Sequence, residues 1–292
     1  MGSRWKKKPK NEEKKEDEAK KSAKNLHNRF YAITFATESI SRMNISIAQT
    51  NIQWADPTAN QLSAERLIQE LAKTDLLVLP EMWNTGFMTD GNTPRHEESL
   101  QWMTETARSK NIAVCGSLAV DEGKDRLYNR LYFVYPDGTT MHYDKRHLFG
   151  YGGEDKHYAG GSERTIVEYG EMRFLLAVCY DLRFPVWLRN NGDYDAIIIV
   201  ANWPESRKRV WTTLLQARAI ENQCFVIACN RVGDDPVCHY SGGSAIIDAK
   251  GKFLAQDHER EEVLTTDISR EELMQFRRKF PVLDDRDSFS LT

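Results

Sequence analysis

The strongest constraint on the fold is a set of short, unbroken apolar runs, each closed by a residue capable of chemistry. Leu76 to Leu79 ends at Pro80-Glu81, Phe174 to Val178 at Cys179-Tyr180-Asp181, and Ile197 to Ala201 at Asn202-Trp203-Pro204. Runs of this length read as strands covered on both faces. Two more, Asn111 to Gly116 and Cys224 to Ala228, follow the same pattern. Helical stretches lie between them. Asp56-Pro57 supplies an N-cap and first-turn proline ahead of Ala64, Leu67, Ile68 and Leu71, and further helices are predicted near residues 97–110, 184–190, 208–222 and 271–279. Leu131 to Tyr135 and Thr139 to Tyr143 flank the turn Pro136-Asp137-Gly138, and Ser244 to Asp248 faces Phe253 to Ala255 across a second turn. A last strand is predicted from Val263 to Ile268. Alternating strands and helices give an α/β protein, and the hairpins make its sheet mixed rather than all parallel.

Composition narrows the class. With 292 residues, 40% apolar and 28% charged, collagen-like, mucin-like and wholly disordered chains are excluded. No run of about 18 apolar residues occurs and the first forty residues lack the apolar stretch of a signal peptide, so the expected location is the cytoplasm and no membrane partner is expected. Residues 1–42 hold twelve Lys and Arg against six Asp and Glu, whereas the remainder holds 28 against 37. The acidic body argues against a nucleic-acid partner. Trp5 to Lys24 is too polar to bury a core and the opening Met-Gly-Ser resembles a vector remnant, so residues 1–42 are expected to be a disordered or vector-derived extension, with one domain over 43–292. The five cysteines, Cys115, Cys179, Cys224, Cys229 and Cys238, form no CxxC pair and fit reduced thiols. No GxGxxG or GxxxxGK[ST] loop is present, which leaves nucleotide binding unsupported.

Strand ends in α/β proteins fix a side chain at the rim of a crevice. A carboxylate (Glu81), an ammonium (Lys145, after Thr139 to Asp144) and a thiol (Cys179) stand at three of them, which together would suffice for acyl transfer. Each also has a plain structural reading: a buried small thiol, a surface carboxylate, a solvated cation. A papain-like base would have to come from His147, His157 or His239, and a metal site from His142, His147 and His157; neither group has the required local spacing. A catalytically silent binding scaffold is the alternative of another class.

Three blocks in order, Leu79-Pro80-Glu81, Asp144-Lys145-Arg146-His147-Leu148-Phe149 and Cys179-Tyr180-Asp181-Leu182-Arg183-Phe184-Pro185, resemble the signatures of the carbon-nitrogen hydrolase (nitrilase) superfamily. The strings Ala201-Asn202-Trp203-Pro204 and Leu215-Gln216-Ala217-Arg218-Ala219 are most similar to its omega-amidase branch. That resemblance implies a four-layer α-β-β-α sandwich with two mixed sheets, assembled as a dimer or higher homo-oligomer. It further implies a cysteine-dependent hydrolase that releases ammonia from the terminal amide of short dicarboxylic monoamides, without cofactor or metal. N-carbamoyl-amine and aliphatic amide hydrolysis are the alternatives within the superfamily.

By the same resemblance Cys179 is the nucleophile, Glu81 the general base and Lys145 its electrophilic partner, with Glu154 as a second pocket glutamate. The backbone N–H of Tyr180 is expected to share the oxyanion with Lys145. A small amide with a distal carboxylate also needs a guanidinium, for which Arg207 and Arg183 are candidates. Arg183 has the alternative of bracing the Cys loop through Asp181. Phe149, Tyr151 and Trp203 are expected to wall the pocket, and Glu221 to pair with Arg218.

Overall fold

The computed structural model describes residues 41–290 except positions 70, 72, 124 and 125. The expectation for the N-terminal extension therefore lies outside the described residues, apart from Ser41 and Arg42. In chain order the elements are β1 (Met43–Gln49), α1 (Pro57–Gln69), β2 (Leu76–Val78), α2 (His96–Lys110), β3 (Ala113–Val120), β4 (Tyr128–Val134) and β5 (Thr140–Asp144). There follow β6 (Ile166–Tyr169), β7 (Met172–Val178), β8 (Ala196–Val200), α3 (Lys208–Glu221), β9 (Phe225–Cys229), β10 (Val232–Asp234) and β11 (His239–Ser241). The chain continues through β12 (Ala245–Ile247), β13 (Phe253–Gln256), β14 (Glu262–Ile268) and α4 (Arg270–Lys279).

Two six-stranded sheets result, ordered β14-β1-β2-β3-β4-β5 and β13-β12-β9-β8-β7-β6. Each is parallel at its centre, β1-β2-β3 in one and β7-β8-β9 in the other, and antiparallel toward its edges. The sheets pack face to face. Side-chain alternation along the first sheet shows this directly: Ile45, Ile47, Leu76, Val78, Cys115 and Phe133 join the core shared with β7, β8 and β9. Their neighbours Ala48, Leu77, Val114 and Val134 face Ala64, Ile68, Trp102 and Met103 of α1 and α2. On the far side, Trp211, Leu215 and Ala219 of α3 and Leu273 of α4 cover the second sheet. The order of layers is therefore α-β-β-α, as the resemblance implied.

Local chemistry sets the boundaries. The Asp56 carboxylate accepts from Ala59 N at 3.0 Å and starts α1, and Ser269 Oγ accepts from Glu272 N at 3.3 Å to start α4. Asp195, wholly buried, binds Arg173, Arg270 and Arg277 and so fastens α4 to the β7 and β8 edge. Both predicted hairpins form, as β4-β5 and β12-β13.

One prediction is corrected. Residues 184–190 form a single turn, not a helix: the chain enters it from a 3-10 turn over Cys179–Arg183, and Phe184, before Pro185, is held extended at φ −112°, ψ 87°. The Asn190 side chain then accepts from Gly192 N and Asp193 N, which bends the chain toward β8. Among the described residues no helix is long and apolar enough to cross a membrane.

Candidate active site

Because β2 ends inside the first sheet and β7 and β8 end inside the second, their following residues meet where the two sheets face one another. Glu81 follows β2, Lys145 follows β5, Cys179 follows β7 and Asn202 follows β8. Glu81, Lys145 and Glu154 are fully buried. Lys145 Nζ lies 2.9 Å from Glu81 Oε1 and 2.9 Å from Glu154 Oε2. Glu154 arrives on a 3-10 turn, and Phe149 N fixes its carboxylate at 2.6 Å. Nζ also lies 3.1 Å from Glu154 Oε1, so the three N–H donors of the ammonium meet three carboxylate oxygens, two of them on Glu154.

Several groups hold the carboxylates. Asn129 Nδ2 donates to Glu81 Oε1 at 2.8 Å and to Glu154 Oε1 at 3.0 Å. Ser117 Oγ donates to Asn129 Oδ1 and accepts from Met82 N, the residue after Glu81. The Asn202 backbone N–H donates to Glu81 Oε2 at 2.8 Å, while its Nδ2 donates to the Glu81 carbonyl at 2.7 Å. The sequence reading missed Asn129. An uncharged amide at the start of a strand, beside Arg130, gives no local sign that it reaches two carboxylates.

Two half-buried thiols line the pocket, Cys179 and Cys238; Glu81 and Lys145 act on Cys179, whereas the charged neighbours of Cys238 are Asp235 and Arg207. Cys115, Cys224 and Cys229 are buried, with burial pushing each thiol upward, and none lines the pocket. Cys179 is half-buried, lines the pocket beside Glu81, and has φ +45°. A β-carbon-bearing residue in the left-handed region is strained, and such strain recurs where a reactive side chain is aimed out of a strand. Burial and the Glu81 carboxylate push the Cys179 thiol well above the usual range, opposed by Lys145. Burial disfavours the Lys145 charge, but Glu154 and Glu81 outweigh it and raise the ammonium above ordinary lysine. Burial raises Glu154, with Lys145 offsetting it in part. The resting state is thus a neutral thiol facing a buried carboxylate and an ammonium. Tyr180 is the second residue of the 3-10 turn that Cys179 opens, so its N–H has no acceptor within that turn.

A cavity of about 310 Å³ opens above this floor, at the small end of ligand pockets. Phe149, Trp203, Arg183 and Arg207 line it with Tyr180, and Tyr151, 92% exposed, stands at its rim. Phe87, absent from the sequence reading, lines it as well and lies 5.3 Å from Lys145 Nζ.

Arg183 does not pair with Asp181. Its guanidinium rests over the rings of Trp203 at 5.0 Å and Tyr180 at 5.9 Å, because Asp181 is turned inward and taken by His147 and Tyr143. Arg207 lies over Phe149 at 5.3 Å, and among the described residues neither arginine forms an ion pair. Arg218 does pair with Glu221, at 2.8 Å, and also donates to Leu182 O behind the Cys loop.

The rival histidines are accounted for. His147 bonds Asp181 and stacks on Phe184, His239 pairs with Asp234 at the surface, and neither they nor His157 line the pocket. Among the described residues no cluster of metal-ligating side chains occurs.

The carbon-nitrogen hydrolase family profile matches residues 44–278. An omega-amidase, YafV, of Yersinia enterocolitica is 43% identical over 256 residues, covering 86% of this chain and 100% of its own length. The 2-oxoglutaramate amidase of Bacillus subtilis is 37% identical over 253 residues, covering 84% of this chain and 97% of that protein. Among solved structures, a CN-hydrolase superfamily protein of Xanthomonas campestris, described with an arsenic adduct in its active site, has a TM-score of 0.83 at 41% identity. That alignment covers 87% of this chain and 100% of the other.

Proposed function

The chain belongs to the carbon-nitrogen hydrolase family, and from that premise we propose that it is an omega-amidase, releasing ammonia from the terminal amide of short dicarboxylic monoamides such as 2-oxoglutaramate and 2-oxosuccinamate. The relatives that share most of its length carry those activities in their names. One observation carries the reading at the level of chemistry: a small cavity has the Cys179 thiol and the Glu81 carboxylate at its floor, the Lys145 ammonium bonded to that carboxylate, and on its wall two guanidiniums that form no ion pair among the described residues.

In this mechanism Cys179 Sγ attacks the amide carbon while Glu81 takes the thiol proton, which a neutral thiol requires. The oxyanion accepts from Lys145, whose ammonium gives up one of its two contacts to Glu154, and from the Tyr180 N–H. Glu81 returns the proton to the nitrogen, the carbon–nitrogen bond breaks, and ammonia leaves a thioester on Cys179. Water, deprotonated by Glu81, then attacks the thioester carbon; the carbon–sulfur bond breaks, Glu81 returns the proton to Cys179 Sγ, and the acid is released. Glu154 keeps Lys145 charged and aimed.

Arg207, at the cavity wall, receives the distal carboxylate, with Arg183 beside it and Phe149, Tyr151 and Trp203 enclosing the chain between. A charge-assisted hydrogen bond contributes about 1.5–3 kcal/mol. Arg207→Gln is therefore expected to raise KM for 2-oxoglutaramate about 10- to 100-fold and to leave a neutral short amide nearly unaffected. Equal effects on both substrates would remove Arg207 from this role.

The protein acts in the cytoplasm as a homo-oligomer, as the family resemblance implies, and light scattering of the eluted protein would measure its assembly. Residues 43–292 form the catalytic domain, so removing residues 1–42 is expected to leave turnover intact. The reading as a whole is tested by ammonia release from 2-oxoglutaramate, 2-oxosuccinamate, glutamine, a carbamoyl amine and an aliphatic nitrile, with Cys179→Ala alongside. Turnover confined to the carbamoyl amine would replace the omega-amidase assignment.

A further inference from the structure

We propose that Asp181 is a positioning residue that sets the placement of Lys145 relative to Cys179 by tying their two loops to one buried carboxylate. The proposal rests on the reading of Lys145 and Cys179 as reacting groups.

Asp181 is fully buried two residues after Cys179, and it is not part of the pocket lining. Its carboxylate accepts four hydrogen bonds. Oδ2 takes Tyr143 Oη at 2.8 Å and Val178 N at 2.9 Å. Oδ1 takes His147 N at 3.0 Å and His147 Nδ1 at 2.7 Å. Three donors therefore come from the segment 143–147 that carries Lys145, and the fourth comes from the residue immediately before Cys179. Facing an acceptor, His147 Nδ1 carries the proton.

The partners are themselves held. Tyr143 Oη accepts from Arg146 N at 3.0 Å and from Trp187 Nε1 at 3.1 Å, so it is fully used. His147 stacks on Phe184 with centroids 3.7 Å apart and planes 6° apart. Each loop alone could pivot, since the Lys loop is irregular and the Cys loop begins at a residue in the left-handed region. A carboxylate shared between them removes that freedom. Burying a charge is costly unless its lone pairs are satisfied, and here all four donors converge on it. Transition-state stabilisation by Lys145 depends on its distance from the oxyanion formed on the carbon that Cys179 attacks. A displacement of about 1 Å costs on the order of 10²-fold in rate.

Asp181→Asn keeps the shape but presents an NH2 group to two donors in either orientation of the amide. With Lys145 and Cys179 both intact, kcat is expected to fall about 10²-fold while KM stays within about threefold. Iodoacetamide should still label Cys179 stoichiometrically by mass, and the far-UV spectrum should be unchanged. Tyr143→Phe, which leaves Val178 N and His147 on the carboxylate, is expected to lose about tenfold in kcat alone, and it decides the matter if Asp181→Asn does not fold. A kcat within threefold of wild type in folded Asp181→Asn would overturn the proposal. A loss expressed mainly in KM would also overturn it, because general loosening of the pocket has that signature. Cys179→Ala measured in parallel separates the two levels: turnover surviving that change defeats the underlying reading, whatever Asp181 does.

Discussion

Cys179→Ala is expected to abolish ammonia release from 2-oxoglutaramate, a loss of about 10⁴-fold or more, since removal of a nucleophile leaves only binding and oxyanion stabilisation. The fold should survive. Alanine keeps the β-carbon, so the strain at φ +45° is unchanged, and loss of one half-buried sulfur falls within the range of about 1 kcal/mol typical of single substitutions. Thermal melting beside the assay checks both halves of the statement. The same thiol makes a pH prediction. Burial and Glu81 hold it well above the usual thiol range, so the thiolate fraction at neutral pH is small and grows with pH. Alkylation of Cys179 by iodoacetamide should accordingly rise about tenfold per pH unit from 7 to 9 without levelling off. A plateau below pH 8 would mean a preformed thiolate, and the step in which Glu81 takes the proton during attack would have to be abandoned.

Lys145→Ala should lose both rate and stability. Losing one oxyanion donor costs about 10²–10³-fold in kcat. In addition, Glu81 and Glu154 would be left buried with Asn129 between them and no cation. Breaking a buried ion pair on one side destabilises by about 3–5 kcal/mol. The sign of the pH dependence follows. Glu154 is already raised by burial and would rise further once Lys145 no longer opposes it. A carboxyl whose folded pKa exceeds its unfolded value binds its proton more tightly when folded, so stability is complete at low pH and is lost as pH climbs from about 4.3 toward the folded pKa. The melting temperature of the variant should therefore fall between pH 5 and pH 8 more steeply than that of the wild type. Parallel curves for the two proteins would show that Lys145 does not compensate these carboxylates.

Much of the fold was legible because burial on both faces writes itself into a sequence as unbroken apolar runs. β2, β7, β8 and β9 all coincide with such runs, and both hairpins formed where turn residues interrupt alternating strands. The helix expected over residues 184–190 failed for a reason periodicity does not carry. Pro185 and the 3-10 turn before it leave only one turn's length before Asn190 redirects the chain. β6 and the β10-β11 ribbon were not anticipated; they are short, and only pairing with a neighbour makes them strands.

The site divides along the same line. Glu81, Lys145 and Cys179 could be singled out because each closes a strand, and strand ends are rigid places from which a side chain can face a crevice. What they face is not a local property. Glu81 and Lys145 belong to one sheet and Cys179 to the other, and only the packing of the two sheets brings the thiol into one cavity with the carboxylate that holds the ammonium. Asn129 was unremarkable in sequence and becomes a shared donor to Glu81 and Glu154 once β4 lies beside β3. Asp181 sits two residues before Arg183 in the chain but binds His147 and Tyr143 across the sandwich, which frees Arg183 to lie over Trp203 at the pocket wall. By itself the sequence determined which residues are apolar enough to be strands and which reactive groups end them, because both are written within a few consecutive positions. Partners, depth and charge balance were decided by tertiary structure, because they depend on distances between segments that the chain separates by tens of residues.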